Sequence, residues 1–334
     1  MSKNRITLTQ HLMEHQPPGS KGDFTLLMIA IQTAVKIIEK HIRRAGMQGN
    51  FGKFGSTNAT GDDQQKIDVI SNDVFKAQLV SSEKICVMGS EEEDTAVLVE
   101  KGQRGGYTIC FDPLDGSSNI DANVSVGSIW GIWKLPPTME ITSIEEATQV
   151  LLQPGNSLVS AGYAMYGSAT NLVLTCGKSV DCFLLDSSIG EFILTHPNLT
   201  IPRGRSIYSV NEGNYSMWHP WFKEYIDHIK NKTKNPYSLR YIGSMVADIH
   251  RTLLYGGIFC YPDDTKNKNG KLRYLYEAAP ISMIIEKAGG KASTGTGRIL
   301  DLVPKKLHER VPVFVGSRDE VDLCLSFKKS SSKL

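Results

Sequence analysis

Apolar and polar positions along this chain follow two different spacings, one helical and one strand-like. Every third or fourth residue is apolar between 25 and 44, which predicts an amphipathic helix that Asp23 caps and Gly46 ends. Continuous apolar runs predict strands, with helical patterns between several of them. The predicted strands are 84–88, 107–111, 124–133, a hairpin of 161–167 with 172–174, 207–210, 255–261, 271–276 and 311–316, and the further helices are one that carries Asp68, 243–254 and 280–288. This alternation indicates an α/β or α+β fold with layered sheets.

The stretches without such patterns are predicted to connect the regular elements. Residues 1–20 are polar and rich in turn formers, so we expect a flexible entry, and four glycines in 47–61 predict a mobile loop. The composition changes near residues 195–205, which predicts two domains, 1–200 and 201–334. We expect the polar tail after residue 327 to be mobile.

The composition is that of an ordinary globular protein. Apolar residues make up 40% of the 334 positions and charged residues 22%, while the net charge of +2 indicates neither a nucleic-acid partner nor a membrane surface. No apolar run approaches the ~18 residues of a membrane span. The six cysteines contain no CxxC pair, so we expect buried free thiols in a reducing compartment.

The stretch YTICFDPLDGSSNIDAN, residues 107–123, carries the strongest chemical signal. Its strand is predicted to break at Pro113 and Gly116, which places Asp112 and Asp115 at the strand's end. Two carboxylates three residues apart repel each other, and a bound cation would neutralise their charge. Because the nearby ligands are oxygens without His or Cys, Mg²⁺ or Mn²⁺ is favoured over Zn²⁺. A bare DxxDG pattern is equally typical of a polar turn.

The full run DPLDGSSN is more specific than that bare pattern. It resembles the signature of the magnesium-dependent, lithium-sensitive sugar and inositol phosphatases, and its Ser-Ser-Asn ending resembles the fructose-1,6-bisphosphatase branch. Gly116 lets the backbone approach a ligand closely, and the amides after it can face an anion. The hydroxyls of Ser117 and Ser118 stand beside them, so the stretch joins a metal site to a phosphate site.

Further carboxylates accompany this stretch. The run SEEED at 90–94 would usually be a solvated surface, but it follows a predicted strand and precedes the DPLDG stretch, which favours metal ligands. The candidate site acids are Asp62, Asp68, Glu91, Glu92, Asp112, Asp115 and Glu277. Seven carboxylates would not hold a sugar bisphosphate of charge about −3 to −4 without divalent cations. Two or three ions would clamp the attacking and leaving oxygens.

The second half of the chain supplies a cationic, hydroxyl-rich pocket for a far phosphate. Its candidate donors are Asn211, Tyr215, Arg240, Tyr241, Tyr261 and Lys271. Arginine offers fork-like donors to phosphate, and tyrosine hydroxyls add neutral ones. Each tyrosine taken alone is more typical of a half-buried packing residue, whereas their position after strand ends beside Arg and Lys favours binding.

From about residue 20 to residue 325, the chain resembles class I fructose-1,6-bisphosphatase. The matching runs are GSTNATGD (55–62), SEE (90–92), DPLDGSSNID (112–121), NEGN (211–214), RYIGSMVADIHR (240–251), YGGIFCYP (255–262) and GKLRYLYE (270–277). The resemblance implies the layered α-β-α-β-α sugar phosphatase fold. It also implies a homotetramer that hydrolyses the 1-phosphate of fructose 1,6-bisphosphate in gluconeogenesis with two to three Mg²⁺ or Mn²⁺ ions per subunit.

The resemblance also assigns roles to individual residues. It implies metal ligation by Asp62, Glu91, Glu92, Asp112, the Leu114 carbonyl, Asp115 and Glu277. The catalytic set that it implies is Asp68, Glu92 and Asp62, of which Glu92 and Asp68 would polarise the attacking water. It implies that the reacting phosphate is held by Gly116, Ser117 and Ser118. It implies that the 6-phosphate is held by Asn211, Tyr241, Tyr261 and Arg240, and that the sugar is contacted by Met245 and Lys271. Arg240 would reach in from a neighbouring subunit. Asn214 stands where animal enzymes have a phosphate-binding tyrosine, so Tyr215 is a further candidate.

An inhibitory AMP site in the first domain is implied as well. The positions that match it are Lys21, Gly22, Asp23, Phe24, Thr25, Tyr107 and Lys134. Three positions depart from the animal pattern, because Lys21 replaces a threonine, Gly106 a lysine and Lys134 an arginine. The backbone amides at the start of the helix survive these changes and can hold a phosphate.

The chain ends in Ser332-Lys333-Leu334, which is a peroxisomal import address. We therefore expect an import receptor as a partner and a peroxisome-type organelle such as a glycosome, with the cytoplasm as the alternative. Two other functions stay open. One is sedoheptulose-1,7-bisphosphatase, and the other is a non-catalytic nucleotide-sensing relative, which would be expected to have lost one or more of the seven acids.

Overall fold

The computed structural model describes residues 5–16, 18–49, 52–57, 63–136 and 139–331. The helices are α1 (Leu8–His15), α2 (Asp23–Gln48), α3 (Lys66–Ser81), α4 (Ile144–Leu151), α5 (Pro220–Asn231), α6 (Met245–Tyr255), α7 (Ala279–Lys287) and α8 (Arg318–Ser331). The strands are β1 (Lys53–Thr57), β2 (Asp63–Gln65), β3 (Ile85–Ser90), β4 (Val97–Leu98), β5 (Tyr107–Asp115), β6 (Val126–Lys134), β7 (Ser160–Tyr166), β8 (Thr170–Thr175), β9 (Val180–Asp186), β10 (Glu191–His196), β11 (Ile207–Ser209), β12 (Ser238–Leu239), β13 (Ile258–Tyr261), β14 (Leu272–Arg273), β15 (Lys291–Ser293), β16 (Arg310–Val311) and β17 (Val313–Gly316). None of the helices in these ranges is long and apolar enough to cross a membrane.

Two mixed sheets dominate the fold, which confirms the predicted class. The larger sheet has eight strands in the order β10-β9-β8-β7-β6-β5-β3-β4, and only β3 and β5 run parallel in it. The smaller sheet has five strands in the order β12-β11-β13-β17-β15, with β11 parallel to both of its neighbours. Two short pairs, β1-β2 and β14-β16, complete the strands.

Helices cover both faces of the larger sheet, because alternate side chains of each strand point to opposite faces. Ile109 and Phe111 of β5 pack with α2 and α3, whereas Cys110 between them packs towards α4 and α7. Helices α6 and α7 also contact the smaller sheet, whose other face carries the aromatic cluster of α5 together with α8. The layers therefore follow the order α-β-α-β-α.

The N-terminal segment departs from its prediction, because residues 8–15 form α1 instead of a flexible entry. Leu8 and Leu12 lie one turn apart and are buried, and the Thr7 hydroxyl accepts a hydrogen bond from the Gln10 amide as a cap. Helix α2 is longer than predicted. It runs through Gly46 to a left-handed Gly49, and Asp23 pairs with Lys84 instead of capping it.

The strand before the DPLDG turn is also longer than predicted. Strand β5 continues through Pro113 to Asp115, because its register against β6 shifts between Asp112 and Asp115. A proline without an N–H is tolerated at such a bulge. The predicted glycine-rich loop likewise contains a strand, β1, which pairs with β2 just after the loop.

The segment that carries Glu277 is not the predicted strand. Only β14 is extended, and residues Tyr274–Ala278 form a π-helical turn that leads directly into α7. The carboxylate of Glu277 accepts a hydrogen bond from the Arg273 amide at the start of this turn, which holds the chain in the helical path. The C-terminal segment departs from its prediction at two places. The predicted strand at 311–316 is interrupted at Pro312. Helix α8 continues to Ser331, where a mobile tail was expected.

The six cysteines are free thiols, as predicted. Five of them are buried, whereas Cys176 is exposed, so the expectation of burial is wrong at that position.

Candidate active site

The carboxyl ends of the two parallel strands bring the first acids of the site together. Glu91 follows β3, and its backbone amide donates to the Phe111 carbonyl of β5 at 3.2 Å. Asp112 follows Phe111 directly, so the two acids stand at the same edge of the sheet. The predicted association of the SEE run with the DPLDG stretch therefore arises from parallel pairing.

Three buried carboxylates form the centre of the site. Asp112, Asp115 and Glu277 each place an oxygen within 4.8 Å of the others. Burial raises the pKa of Asp112 well above its usual value, and the nearby charges of Glu91, Asp115 and Glu277 raise it further. Burial also raises the pKa of Asp115 to about 6 and that of Glu277 to about 8. At neutral pH such a group binds protons or shares a cation.

One arginine partly neutralises this cluster, and sequence reasoning missed it. The Arg273 guanidinium lies 2.5 Å from Glu91 Oε1 through Nη2 and 3.9 Å from Glu277 through Nη1. Its side chain is 6% exposed. The signal was available in the run GKLRYLYE, where Arg273 precedes Glu277 by four residues.

Asp68 approaches the site from the first turn of α3. Its Oδ2 accepts hydrogen bonds from the Gln65 amide at 2.7 Å and from the Ser117 hydroxyl at 3.0 Å. Its Oδ1 is buried and has no hydrogen-bond partner among the described residues. Burial raises the pKa of Asp68 to about 7, with smaller contributions from the charges of Glu92 and Glu91. A carboxyl group with this pKa can accept a proton near neutral pH.

The turn after β5 forms the anion-binding side of the cleft. Gly116 has a left-handed φ of 77°, and a Cβ there would lie 3.2 Å from Ser244 Oγ. A 3₁₀ turn, Ser117–Ala122, follows directly, so the two serines stand beside the carboxylates. Asn119 Nδ2 donates to the Gly243 carbonyl at 3.1 Å and joins this turn to the loop before α6.

A fully buried aspartate, also missed from the sequence, organises that loop. Asp248 accepts hydrogen bonds from the amides of Ile242 and Gly243 and from the Ser209 hydroxyl, and it pairs with Arg251 at 2.9 Å. A helix N-terminal amide, that of Val246, donates to Asp115 Oδ2 at 3.1 Å. An acid among the apolar residues of a predicted helix was the available signal for Asp248.

These groups line one cleft of about 490 Å³, which we call the active cleft. The candidate residues along it are Asp68, Glu91, Glu92, Asp112, Leu114, Asp115, Gly116, Ser117, Ser118, Asn211, Tyr241, Met245, Tyr261, Lys271 and Glu277. The structure thus brings residues from both halves of the sequence to one place. Asp62 lies outside the described residues.

Two candidate substrate residues do not line the active cleft. The Tyr215 hydroxyl donates to Asp227 at 2.9 Å, and its ring packs edge-on against Trp218. Arg240 is exposed and donates to the Leu239 carbonyl at 2.9 Å. In the single chain neither side chain is placed to contact a ligand in the cleft, so both assignments stay predictions.

A second cleft, of about 560 Å³, lies at the start of α2 and is called the α2 cleft here. Its lining includes all of the candidate AMP residues: Lys21, Gly22, Asp23, Phe24, Thr25, Tyr107 and Lys134. Val159, Leu174 and Phe183 add an apolar wall, and Lys178 adds a third lysine. The cleft therefore joins a cationic helix start to a surface suited to a flat apolar group.

The donor set of the active cleft fits hard divalent cations. It consists of closely spaced carboxylates with raised pKa values, and Asp68 Oδ1 is a buried oxygen without a hydrogen-bond partner among the described residues. No described His or Cys side chain lines the cleft. Oxygen-only ligation of this kind is typical of Mg²⁺ and Mn²⁺.

Comparison with known proteins places the whole chain in one family. The family model for the fructose-1,6-bisphosphatase N-terminal domain matches residues 6–197, and that for the C-terminal domain matches residues 201–329. The chain is 51% identical over 321 residues to a cytosolic fructose-1,6-bisphosphatase of Arabidopsis thaliana, covering 95% of this chain and 93% of that protein. Against the cytosolic enzyme of Spinacia oleracea it is 49% identical over 326 residues, covering 96% and 94%. The crystal structure of Leishmania major fructose-1,6-bisphosphatase in holo form matches with a TM-score of 0.95 and 64% identity, over 97% of this chain and 99% of that one.

Proposed function

The chain belongs to the fructose-1,6-bisphosphatase family and is a phosphatase of fructose 1,6-bisphosphate in gluconeogenesis, and we propose that it removes the 1-phosphate in the active cleft with divalent cations. The observation that carries this proposal is the cluster of Asp112, Asp115 and Glu277 beside the Ser117 turn. A concentrated set of buried carboxylates repels a phosphate ester unless cations are shared with it.

The residues proposed to hold Mg²⁺ or Mn²⁺ are Glu91, Glu92, Asp112, the Leu114 carbonyl, Asp115 and Glu277, with Asp62 from outside the described residues. Divalent cations bound there would neutralise phosphoryl oxygens and activate water for attack. We propose two to three ions per subunit. A cation bound by Glu91 would share this carboxylate with Arg273.

Asp68 is proposed to take the proton from the attacking water, with Glu92 beside it. The raised pKa of Asp68, about 7, makes it a proton acceptor at neutral pH. Ser117 orients Asp68 through their hydrogen bond, so the residue that holds the proton acceptor also faces the phosphate. Gly116, Ser117 and Ser118 hold the reacting phosphate in this arrangement.

The opposite wall of the active cleft is proposed to hold the 6-phosphate and the sugar. Asn211, Tyr241 and Tyr261 offer neutral donors, Lys271 a positive charge, and Met245 a buried apolar contact. Arg240 completes the set from a neighbouring subunit in a homotetramer. Leu239 and Ile242, which flank Arg240 and Tyr241, are 39% and 42% exposed, and such apolar side chains suit a subunit contact.

Phosphate release tests this proposal. The enzyme is assayed with fructose 1,6-bisphosphate, sedoheptulose 1,7-bisphosphate and inositol 1-phosphate, each with Mg²⁺, with Mn²⁺ and with EDTA. We expect release that depends on the metal and is fastest from the fructose compound. Faster release from the sedoheptulose compound would favour the alternative enzyme. Faster release from inositol 1-phosphate would show that the pocket for the far phosphate is assigned wrongly.

The α2 cleft is proposed to bind AMP as an inhibitor. The helix-start amides and Lys21, with Lys134 nearby, supply positive charge for the phosphate, and the apolar wall suits the base. Inhibition by AMP in the same assay is expected to weaken in Lys134→Met. AMP inhibition that is unchanged in Lys134→Met, or absent from the wild type, would contradict the proposal.

The cellular location stays a proposal. The curated relatives compared above are named cytosolic, which fits the cytoplasmic alternative. The tripeptide 332–334, on which the glycosomal location and the import receptor rest, lies outside the described residues. Fluorescent fusions with and without these three residues distinguish the two locations, since only the intact tail would direct the fusion into the organelle.

A further inference from the structure

A basic cleft of about 850 Å³ lies between the loop that connects β13 to β14 and the loop that precedes β16. Six lysine and arginine side chains line it against two carboxylates. None of the residues that line it lines the active cleft or the α2 cleft. The charge is therefore concentrated in a separate concave surface of a protein whose net charge is only +2.

Four of these cations have no acidic partner among the residues that the structure describes. Lys266 and Lys268 stand on the first loop and Lys305 and Lys306 on the second, all four are exposed, and no described carboxylate lies within 4.0 Å of their amines. Each of the two carboxylates of the cleft contacts a group other than these four amines. Asp263 pairs with His219 at 3.2 Å, and Glu309 accepts the Lys305 amide. Like charges that converge without partners raise the local positive potential and attract anions.

The base of the basic cleft is rigid. Strands β14 and β16 pair there, and a Cβ added at Gly270 would lie 2.4 Å from the Val311 carbonyl carbon, so the two loops touch. The Tyr274 amide also donates to the Glu309 carbonyl at 2.7 Å. The backbone that carries the lysines of both loops is therefore fixed before a ligand binds. Binding then costs little conformational entropy of the backbone.

The chemistry of the lining selects the class of ligand. Amides and hydroxyls of Asn267, Asn269, Thr294 and Thr296 accompany the lysines, and no described Phe, Tyr or Trp lines the cleft. Both ring nitrogens of His308 are already occupied, by the Tyr276 hydroxyl and the Glu93 carbonyl. A nucleobase would therefore find no Phe, Tyr or Trp ring to stack on, whereas phosphate oxygens would find cationic and neutral donors together.

We propose that this cleft is a further anion-binding site, distinct from the active cleft and the α2 cleft, and that it takes a compact aliphatic molecule carrying two or more phosphate groups. Its volume lies within the range of small-molecule sites, about 300–1,000 Å³. Lysines on both loops contact the same ligand. Because the contacts are partly exposed, the affinity falls as salt concentration rises.

Calorimetric titration with inorganic tripolyphosphate tests the site. The full-length protein is titrated in EDTA, because the metal-free active cleft then carries carboxylates that disfavour a polyanion. The variants are Lys305→Glu with Lys306→Glu, and separately Lys266→Glu with Lys268→Glu, so that each loop is tested alone. The control is Lys232→Glu with Lys234→Glu, which makes the same change in net charge at exposed positions outside the cleft.

We expect tripolyphosphate to bind the wild type and the control with the same affinity. It should bind each cleft variant at least about tenfold more weakly, because two charge-assisted contacts are lost. Hydrolysis of fructose 1,6-bisphosphate by Lys305→Glu with Lys306→Glu verifies that this variant is folded. Equal affinity in the wild type, the control and both cleft variants would overturn the proposal. No binding to the wild type, or loss in only one cleft variant, would overturn it as well.

Discussion

Arg273 and Glu91 form an ion pair at the edge of the carboxylate cluster, with Nη2 2.5 Å from Oε1 and side chains that are 6% and 11% exposed. The two residues come from distant parts of the chain, β14 and the end of β3. The same guanidinium lies 3.9 Å from Glu277, so one side-chain cation pairs with two acids of the proposed metal site. The site is therefore only partly neutralised by the protein itself.

Replacement of Arg273 by methionine is expected to make the stability of the protein depend more strongly on a bound metal ion. Breaking a buried ion pair by removal of one partner costs about 3–5 kcal/mol, and we expect a loss of that size in EDTA. Mg²⁺ should restore more stability to Arg273→Met than it adds to the wild type, because the cation becomes the remaining counter-charge. Urea unfolding with and without Mg²⁺ measures both quantities.

The matched control is Arg298→Met, which removes a surface arginine paired with Glu286 and Asp301. Exposed pairs contribute about 0–1 kcal/mol, so the control should be nearly neutral and indifferent to Mg²⁺. Equal stabilisation by Mg²⁺ in the wild type and Arg273→Met would show that Arg273 does not share the charge of the metal site.

The metal-free protein is expected to lose stability as the pH rises from 6.5 to 8. Burial raises the pKa of Glu277 to about 8 and that of Asp68 to about 7, so in this range the folded state binds more protons than the unfolded state. The free energy of unfolding therefore falls with rising pH. The fall is at most about 1.4 kcal/mol for each unit by which folding raises the pKa of a group. Mg²⁺ should flatten the dependence, since the cation replaces the protons.

The same measurement below pH 6.5 would mix two effects of opposite sign. Burial lowers the pKa of His250 to about 4, so this imidazole makes the folded state less stable as the pH falls from 6.5 to 4. Between pH 6.5 and 8 the comparison with Glu277→Gln isolates one carboxyl, and the variant should show the flatter profile. A metal-free wild type that gains stability between pH 6.5 and 8 would contradict the prediction.

Asp248→Asn should weaken substrate binding. The carboxylate accepts the amides of Ile242 and Gly243 and thereby fixes the loop that carries Tyr241. An asparagine offers one acceptor oxygen and no charge, so we expect KM for fructose 1,6-bisphosphate to rise about tenfold with a smaller change in kcat. Steady-state kinetics with saturating Mg²⁺ give both values.

Asp227→Asn is the control for this variant, because it removes the charge of the carboxylate that accepts the Tyr215 hydroxyl without altering a residue of the active cleft. Its KM should match that of the wild type. If Asp248→Asn keeps the wild-type KM, the buried aspartate has no part in positioning the loop.

The sequence predicted what depends on local pattern. Asp112 and Asp115 stand in one short motif after an apolar run, and such a strand end can be recognised without the fold. Parallel pairing of β3 with β5 then explains why Glu91 joins them. A helix that carries Asp68 was likewise predicted, and α3 confirms it.

The other features of the candidate site depend on contacts between segments that are distant in sequence, which local patterns do not predict. The partner of Arg273 is Glu91, which no local spacing connects to it, and Asp248 gains its role only because the loop folds back over its carboxylate. Glu277 was expected at a strand end, but its own side chain and Pro280 favour a helical turn. Tyr215 was a candidate because it follows Asn214, which stands where animal enzymes have a phosphate-binding tyrosine, but its hydroxyl donates to Asp227.

The most direct test of the central claim is the rate of phosphate release from fructose 1,6-bisphosphate by the wild type, Asp115→Asn and the exposed control Asp319→Asn, each titrated with Mg²⁺ after EDTA treatment. Asparagine at position 115 can still accept the Val246 amide, so the variant removes charge while it retains that contact. We predict that the wild type and the control are inactive in EDTA and recover with Mg²⁺, and that kcat of Asp115→Asn falls by about a hundredfold or more at every Mg²⁺ concentration. Full turnover by Asp115→Asn, or release by the wild type that EDTA does not reduce, would contradict a mechanism built on cations held by this cluster.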